Sequence, residues 1–332
     1  MTTSEPPLEH ARFRELTWKT KWLFVGAVFL AIWYSTRFFD RDWLLQWPKI
    51  VVLIVTGLAP QLFMLIFPFF TRDKGSVRRI RIPTFKRCLV EFAIAVPVVL
   101  VLLVALSGLQ YLVSYYYPSK SLTPDAINNM AASGKPQYVF PLLVFSFTIA
   151  PIAEEVFFRG FVYNAFRTRM PTAIAVVFQS LIFGFCHFFG STHAIIACVL
   201  GIVITVVYEW RKTLVTPVFI HVGINLISAI GVVALMSEYA DRPTIGVVGD
   251  PDVTECIVRE IIPGSAAFES GVMVGDLIVA FDDEPVATYP ELGSAVAKRK
   301  PGDTIVLTLI RGGETVELDV TLKRRGNLKQ PP

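Results

Sequence analysis

Charged residues are scarce in this chain. Only 17% of its 332 residues are Asp, Glu, Lys or Arg, and the mean hydropathy is +0.55. A soluble globular domain carries about 25% charged residues, so a single soluble domain is excluded. Disorder is excluded as well, because disordered segments are poor in aromatic residues and rich in charge, whereas 13% of this chain is aromatic.

Acidic charge is scarcest in the first part of the chain. Residues 1–238 contain 21 Lys and Arg against 12 Asp and Glu, whereas residues 239–332 contain 10 against 15. The first composition is typical of a membrane protein and the second of a soluble domain. The basic excess lies beside apolar runs, where it indicates orientation in a lipid bilayer rather than nucleic-acid binding. We therefore expect two differently solvated domains and no nucleic-acid partner.

Paired cysteines and a cleavable leader are also missing. The four cysteines show no Cys-X-X-Cys spacing, so we interpret them as small apolar core residues. The first 20 residues are polar, and no small-residue cleavage site follows the first apolar run. We therefore expect no cleavable signal peptide.

Long apolar runs dominate what is present. Crossing about 30 Å of hydrocarbon requires about 20 mostly apolar residues. The candidate spans are 22–39, 44–70, 88–117, 138–166, 172–190, 193–210 and 213–236. This pattern predicts a polytopic α-helical membrane bundle of about seven transmembrane helices over 22–238, after a polar tail at 1–21.

Loop charge predicts the orientation of this bundle. The segment 71–87 holds seven Lys and Arg against one Asp, and the N-terminal tail and the turns at 167–171 and 211–212 are basic too. The alternate loops are weakly charged. By the positive-inside rule, the N-terminus is cytoplasmic, and seven crossings leave residue 239 onward outside the cytoplasm.

The soluble tail has the pattern of a small α+β domain. Its β-branched runs, separated by turn signals, predict strands at 245–248, 255–261, 277–281, 304–310 and 314–322. Two helices are also predicted. One is short, at 265–271, and is closed by a glycine cap. The other covers 290–300, with Leu292, Ala295 and Val296 on one side.

Ionisable side chains inside the apolar spans are the most informative residues. A charge at mid-bilayer costs about 2.5–3.5 kcal/mol on insertion scales, so such groups pair with each other or line a site. The spans contain Glu154, Glu155, Arg159, His187 and His221, together with the amide of Asn225. Glu91 lies near the end of a span. We interpret His10 and His193 as surface or interfacial residues.

The spacing of these groups assigns them to shared faces. Glu155 and Arg159 are four residues apart, so we expect an ion pair. Glu154 lies about 100° around the same helix and has no partner there. A carboxylate in apolar surroundings without a cation has a raised pKa, which suits it to proton transfer near neutral pH. His221 and Asn225 are also four residues apart. Three helices can therefore bring a carboxylate, two imidazoles and an amide to one cavity.

The ordered strings EExxxR (from Glu154), FxxxH (ending at His187) and HxxxN (from His221) resemble those of the CAAX-prenyl-protease and bacteriocin-processing (CPBP) family of intramembrane proteases. The resemblance covers about 138–236. It implies that Glu154 and His187 activate the attacking water and that His221 and Asn225 stabilise the oxyanion. It also implies that Arg159 orients the carboxylate pair, with Glu155 as its partner.

The family is described both as glutamate-dependent and as metalloproteases. If zinc is bound, the resemblance implies Glu154, His187 and His221 as its ligands, an acceptable set. We favour no cofactor, because Asn225 is a poor zinc ligand and a good oxyanion donor.

Residues 243–323 resemble a PDZ domain of the bacterial HtrA-type proteases. The strings that carry the resemblance are IGV at 245–247, IPGSAAFESGVMVGDLIVA at 262–280 and KPGDTIVLTLIRGG at 300–313. The resemblance implies an extended peptide or C-terminus bound as an added strand, with Ile245, Gly246 and Val247 at the binding-loop end. We interpret Asp276 as a turn cap and 324–332 as a frayed tail.

Together these observations predict an endopeptidase of a bacterial cytoplasmic membrane. It hydrolyses peptide bonds of membrane-associated proteins, and the PDZ domain selects or gates its substrates. The HExxH string of site-2 proteases is absent, and no GxSxG string occurs in a span. Two alternatives stay open: a non-catalytic scaffold or immunity-type protein, and a proton-coupled transporter.

Overall fold

The computed structural model describes residues 25–26, 58–70, 83–116, 136–187, 191–249 and 254–328. The chain divides into two units. The first comprises Met1–Ser121 and Pro141–Ala229, and the second comprises Leu122–Phe140 and Ile230–Pro332.

The described part up to residue 241 is helical. Its α-helices are α1 (Ala59–Phe70), α2 (Phe85–Tyr116), α3 (Pro136–Phe147), α4 (Ile149–Glu155), α5 (Asn164–Arg167), α6 (Thr172–Cys186), α7 (Ser191–Arg211) and α8 (Val215–Asp241). A π-helix (Val156–Tyr163) joins α4 to α5.

Among the described residues, α2, α7 and α8 are long and apolar enough to cross a membrane. Helices α1 and α6 are apolar but shorter. The predicted span 22–39 lies almost wholly outside the described residues, and the span 44–70 is described only from residue 58 onward. The apolar helices agree with a membrane-embedded bundle, but the count of about seven spans is not confirmed.

The predicted continuous span 138–166 is interrupted. Helix α3 ends at Phe147 and α4 begins at Ile149. Pro151 has no N–H to donate to the carbonyl of Phe147 four residues earlier, which explains the break. The Thr148 hydroxyl binds the Val144 carbonyl at 2.7 Å, so one of the last carbonyls of α3 still has a donor.

The predicted span 172–190 is also shorter than expected. Helix α6 ends at Cys186, and His187 has left the helical conformation, with φ −102° and ψ 23°. The Nδ1 of His187 lies 2.7 Å from the Phe183 carbonyl at the helix end. His187 therefore caps α6 instead of lying within it.

The second unit contains a four-stranded antiparallel sheet of order β5–β4–β6–β7 and two short strand pairs, β1–β8 and β2–β3. The strands are β1 (Pro243–Thr244), β2 (Val247–Val248), β3 (Glu260–Ile261), β4 (Leu277–Phe281), β5 (Glu284–Pro285), β6 (Thr304–Arg311), β7 (Glu314–Thr321) and β8 (Lys323–Arg324). Strands β4, β6 and β7 agree closely with prediction, whereas β5 was not predicted. The predicted strands 245–248 and 255–261 shrink to β2 and β3, with an isolated bridge from Ile257 to Leu277.

Both helices predicted in the tail are present, as α9 (Ala266–Glu269) and α10 (Tyr289–Ala297). Ser265 caps α9 by accepting a hydrogen bond from the Phe268 N–H, and Gly271 follows with φ +81°. In α10, the three side chains predicted to share a face are all buried in the core of the domain. The last described segment is a single 3₁₀ turn, Arg325–Asn327.

Candidate active site

Two adjacent carboxylates are buried where α4 meets the π-helix. Glu154 is 6% exposed and Glu155 is fully buried. The π-helix that begins one residue later has a wider turn than an α-helix, a feature frequent at functional sites. Burial of two neighbouring carboxylates is tolerated only if each finds charged or hydrogen-bonding partners.

Glu155 has both a cation and an imidazole as partners. Its Oε1 accepts a hydrogen bond from Arg159 at 2.7 Å, and this forms the ion pair that the spacing predicted. The same oxygen accepts a second bond from Nδ1 of His221 at 2.8 Å. Arg159 is itself fully buried, donates to the Gly201 carbonyl of α7 and lies over the Phe183 ring. Glu155 and Arg159 thus anchor the π-helix to three other helices.

The two imidazoles both face Glu154. Nε2 of His187 lies 3.3 Å from Oε2 of Glu154, and Nε2 of His221 lies 3.8 Å from the same oxygen. Each ring uses Nδ1 elsewhere: His187 donates to the Phe183 carbonyl, and His221 to Glu155. Both rings therefore turn Nε2 toward one carboxylate oxygen, and Nε2 can donate to it only when the ring carries protons on both nitrogens. Glu154 Oε2 accepts no hydrogen bond of good geometry from the described residues.

Asn225, which was predicted to share a cavity with His221, contacts the end of α3. Its Nδ2 donates to the Ser146 carbonyl at 2.8 Å, at the end of α3. The break before Pro151 exposes carbonyls of this turn, and Asn225 satisfies one of them. Its role as an oxyanion donor beside His221 stays a prediction.

Two residues near this cluster were not predicted to belong to it. Gln61 of α1 donates from Nε2 to Oε1 of Glu154 at 3.1 Å. The only available signal was a lone amide in an apolar run. His193, which was interpreted as a surface residue, has Nδ1 2.6 Å from the His187 carbonyl, and its ring lies 6.3 Å from the His187 ring.

Glu91, predicted near the end of a span, lies in a second polar cluster. It is 1% exposed and accepts hydrogen bonds from Nε and Nη2 of Arg211, both at 3.0 Å. The Thr216 hydroxyl donates to it as well. This carboxylate therefore joins α2, α7 and the start of α8.

In the described part of the chain, no group of three or more His, Cys, Asp or Glu side chains is arranged to hold a metal ion. The donor types at Glu154, His187 and His221 are nevertheless those that zinc accepts. Each imidazole also gives its other N–H to an oxygen acceptor, as zinc-bound histidines do.

The predicted peptide-binding segment of the second unit forms a short edge. Gly246 has φ +84°, and its carbonyl accepts a hydrogen bond from the Ile262 N–H. A Cβ on Gly246 would lie 2.2 Å from Cβ of Ser265, so only glycine fits there. The Ile245 and Val247 side chains are buried in the core.

Asp276 is placed as the turn cap that we predicted. Its Oδ2 accepts from the Met273 N–H at 2.7 Å, and Arg311 donates to both carboxylate oxygens. The hydrogen bonds from Arg311 hold the pKa of Asp276 below its usual range. This residue stabilises the β4 turn and does not point to a ligand.

Two segments of the chain match known protein families. Residues 136–227 match the family described as type II CAAX prenyl endopeptidase Rce1-like, and residues 228–322 match the PDZ domain. All six residues predicted for the membrane site lie within the first match, whereas Gln61 lies outside it.

The similar curated proteins cover parts of the chain. The periplasmic pH-dependent serine endoprotease DegQ of Escherichia coli is 38% identical over 65 residues, which are 20% of this chain and 14% of DegQ. The UPF0177 protein YaiH of Lactococcus lactis is 33% identical over 112 residues, 33% of this chain and 46% of YaiH. The chain thus spans less than half the length of either relative.

Among solved structures, the HtrA3 PDZ domain bound to a phage-derived ligand is 24% identical, with a TM-score of 0.21, over 25% of this chain and 86% of that one. A serine endoprotease from Yersinia pestis is 24% identical, with a TM-score of 0.23, over 29% of this chain and 35% of that one.

Proposed function

Because the chain carries an Rce1-like CAAX protease domain followed by a PDZ domain, we propose that it is an intramembrane endopeptidase whose general base is Glu154. The single observation that carries the proposal is the convergence of two imidazole Nε2 atoms on one buried carboxylate oxygen. The substrates are membrane-associated proteins, cleaved in or near the bilayer.

In the first step, Glu154 and His187 activate a water molecule. Glu154 Oε2 accepts a proton from the water as its oxygen attacks the scissile carbonyl carbon. Nε2 of His187, 3.3 Å from Oε2, lies close enough to share that proton. Glu154 then returns the proton to the leaving amine as the carbon–nitrogen bond breaks.

His221 stabilises the tetrahedral oxyanion, with Asn225 as the second donor. Hydrogen-bond donors preset around a developing negative charge are a large source of rate acceleration in acyl transfer. Glu155 binds Nδ1 of His221 and so compensates positive charge on the ring when Nε2 is protonated. Arg159 holds Glu155 in that position.

A zinc-dependent form of the same reaction would use Glu154, His187 and His221 as ligands. There, zinc would polarise the scissile carbonyl or activate the water. We propose the form without a resident metal, since an amide at position 225 suits oxyanion binding better than zinc binding. A strong chelator should leave cleavage by the purified chain unchanged. Loss of cleavage with the chelator and recovery with zinc would reverse this choice.

The PDZ domain would select or gate substrates. Extended peptides add to an exposed strand edge in such domains, and β2 with the Ile245–Gly246 turn offers that edge. Deleting 240–332 should change which proteins are cleaved without removing the chemistry at Glu154. Unchanged substrate choice after the deletion would contradict the gating role.

We also propose the topology that the loop charges predict. The N-terminus would face the cytoplasm of a bacterium and the PDZ domain would lie outside it, which agrees with the periplasmic location named for the Escherichia coli relative. A phosphatase fused after residue 328 should be active. If the phosphatase is inactive and a cytoplasmic reporter fused at the same position is active, the PDZ domain lies in the cytoplasm. The number of spans would then be even.

The decisive experiment replaces Glu154 with Gln in the native cell. Membrane proteomics should then show uncut proteins that accumulate, while the variant itself is folded and membrane-inserted at the wild-type level. A scaffold or immunity-type protein predicts no accumulation and an unchanged phenotype. A transporter predicts no accumulation together with proton-coupled flux in proteoliposomes, and that flux should be lost in Glu154→Gln.

A further inference from the structure

Gln61 is a buried amide on an otherwise apolar helix. It is 8% exposed, and the other buried side chains of α1 on this face include Met64 and Phe67. Phe67 packs edge-on against Phe161, with ring centroids 5.3 Å apart, so this face of α1 lies against the π-helix. An apolar side chain would fit this packing without the cost of burying an amide.

The hydrogen bond to Glu154 explains why an amide is present. A carboxylate only accepts hydrogen bonds, so the amide nitrogen of Gln61 must face Glu154, as the 3.1 Å contact to Oε1 shows. The Gln61 carbonyl oxygen then has no partner among the described residues. The hydrogen bond to Glu154 is therefore the contact that this buried amide makes.

The contact also fixes the orientation of the Glu154 carboxylate plane. Oε1 is occupied by Gln61, and the carboxylate is thereby turned so that Oε2 faces His187 and His221. Without the amide, the carboxylate could rotate about its side-chain bond and leave neither oxygen directed at the two imidazoles. Small misplacements of a reacting group lower the rate even when the substrate still binds.

We propose that Gln61 is a positioning residue for the hydrolytic reaction, which holds Glu154 by its Oε1 and directs Oε2 at the two imidazoles. This inference rests on the proposed function of Glu154. It adds a residue of α1, outside the segment matched by the protease family, to the residues that prepare the catalytic carboxylate.

The test uses the purified full chain in detergent. The probe is detergent-solubilised membranes from Glu154→Gln cells, with the uncut proteins that accumulate there as substrates. Gln61→Met keeps the length of the side chain and removes the donor. We expect kcat to fall about 10- to 100-fold, the range for losing a hydrogen bond to a charged group, with KM unchanged. Met64→Ala is the matched control: it opens a cavity on the same face, so it should lower the melting temperature but keep kcat within about twofold.

Each outcome decides between defined alternatives. If Gln61→Met keeps wild-type kcat while Glu154→Gln is inactive, the positioning role is wrong and the proposed function stands. If Gln61→Met and Met64→Ala lose rate and melting temperature in parallel, Gln61 is structural. If Glu154→Gln still cleaves, or no protein accumulates in its membranes, the proposed function itself fails.

A second, independent observation concerns strand β2. One edge of β2 is bonded to the β3 segment, through the carbonyls of Gly246 and Val248. Main-chain groups alternate between the two edges of a strand, so Val247 presents its carbonyl at the opposite edge. An added peptide strand would pair there.

That edge is already occupied by a side chain of the same domain. The hydroxyl of Tyr289, the first residue of α10, donates to the Val247 carbonyl at 2.6 Å. The ring lies directly against the main chain after β2, since a Cβ on Gly249 would lie 2.5 Å from Cδ2 of Tyr289. Burial raises the pKa of Tyr289, which keeps the hydroxyl protonated as a donor at neutral pH.

We infer that Tyr289 competes with peptide ligands for the edge of β2 and so sets the affinity of the groove. An incoming peptide must supply a main-chain N–H to Val247 in place of the hydroxyl and displace the ring. The ligands that succeed are extended peptides with a free carboxylate at the Ile245–Gly246 turn and an apolar side chain that takes over the place of the ring. This inference rests on the proposed peptide-binding role of the domain.

Peptide selection on the full-length chain in detergent tests the inference. A random library of pentapeptides with free C-terminal carboxylates is selected on wild type and on Tyr289→Phe, and the affinity of the best peptide is measured by fluorescence polarisation. Tyr289→Phe should bind about 5- to 10-fold more tightly, as expected for removal of one competing hydrogen bond.

Tyr239→Phe, which removes another hydroxyl from the same unit, should not change the affinity. Equal affinity for wild type and Tyr289→Phe would overturn the competition. No selected peptide on any variant would overturn the peptide-binding role as well.

Discussion

Two buried carboxylates of the helical part, Glu91 and Glu154, differ in how completely they are paired. Both oxygens of Glu91 accept hydrogen bonds from the guanidinium of Arg211, and one also accepts from the Thr216 hydroxyl. Glu154 has an amide on one oxygen, and on the other only two imidazoles, at 3.3 and 3.8 Å.

Under the proposed function, this is the difference between a structural ion pair and a site of chemistry. Arginine stays protonated, so the Glu91 cluster holds a fixed pattern of donors and acceptors. An imidazole nitrogen can accept a proton and donate it again, so a carboxylate facing two imidazoles can pass a proton on. We therefore interpret Glu91, with both oxygens paired, as a residue that holds helices together, and Glu154, whose Oε2 faces two imidazoles without a hydrogen bond, as the proposed reaction centre.

Breaking the ion pair next to Glu154 should have the largest effect. Arg159→Met would leave Glu155 buried with no cation, and loss of one partner of a buried pair costs about 3–5 kcal/mol. We expect the variant to be unfolded or proteolysed at growth temperature and inactive, as measured by thermal denaturation and gel filtration in detergent. Arg159→Lys keeps the positive charge but lacks the planar guanidinium, so it should destabilise the protein less. A stable and active Arg159→Met protein would show that Glu155 needs no cation.

Breaking the other cluster should affect stability alone. Glu91→Gln removes the charge opposite Arg211, whose side chain is 25% exposed and can turn to water. We therefore expect a smaller loss of about 1–3 kcal/mol, with the cleavage rate per folded molecule unchanged. Thermal denaturation and cleavage of the Glu154→Gln membranes measure the two effects. A fall in rate larger than the fall in folded fraction would contradict the distinction between the clusters.

Much of the membrane site could be predicted because charge inside an apolar span is costly. Glu154, His187 and His221 are conspicuous for this reason, and their helical spacing gives the faces they share. Spacing does not show which acceptor a side chain reaches, so the contact of Asn225 with the Ser146 carbonyl could not be predicted. That carbonyl needs a donor only because α3 ends before Pro151.

Gln61 was missed for a related reason. One amide in an apolar run has no periodic partner, and its contact Glu154 is 93 residues away in the sequence.

In the soluble domain, β4, β6 and β7 were predicted closely because turn signals bound each strand. β2 and β3 are shorter than predicted, since β-branched composition shows a preference for extended backbone and not which residues find a pairing partner.

A third carboxylate–arginine pair extends the comparison to a site exposed to water. Arg311 bonds both oxygens of Asp276, but its side chain is 30% exposed, so solvent weakens the pair. Asp276→Asn should lower the melting temperature of the PDZ transition by about 4–8 °C at pH 7, the shift that loss of one such interaction produces in a domain of this size. Asp319→Asn, an exposed position on β7, should change it little.

The effect should depend on pH in one direction. Because the pKa of Asp276 is lowered in the folded state, its contribution is complete well above the unfolded value of about 3.9 and is lost as the pH falls below it. Calorimetry of the full chain, on the transition that disappears when 243–332 are deleted, should therefore show the difference between wild type and Asp276→Asn shrinking as the pH falls below about 3.9. A difference that stays the same as the pH falls would mean that the carboxylate acts through its shape and hydrogen bonds rather than its charge, and the comparison with Glu91 would then no longer hold.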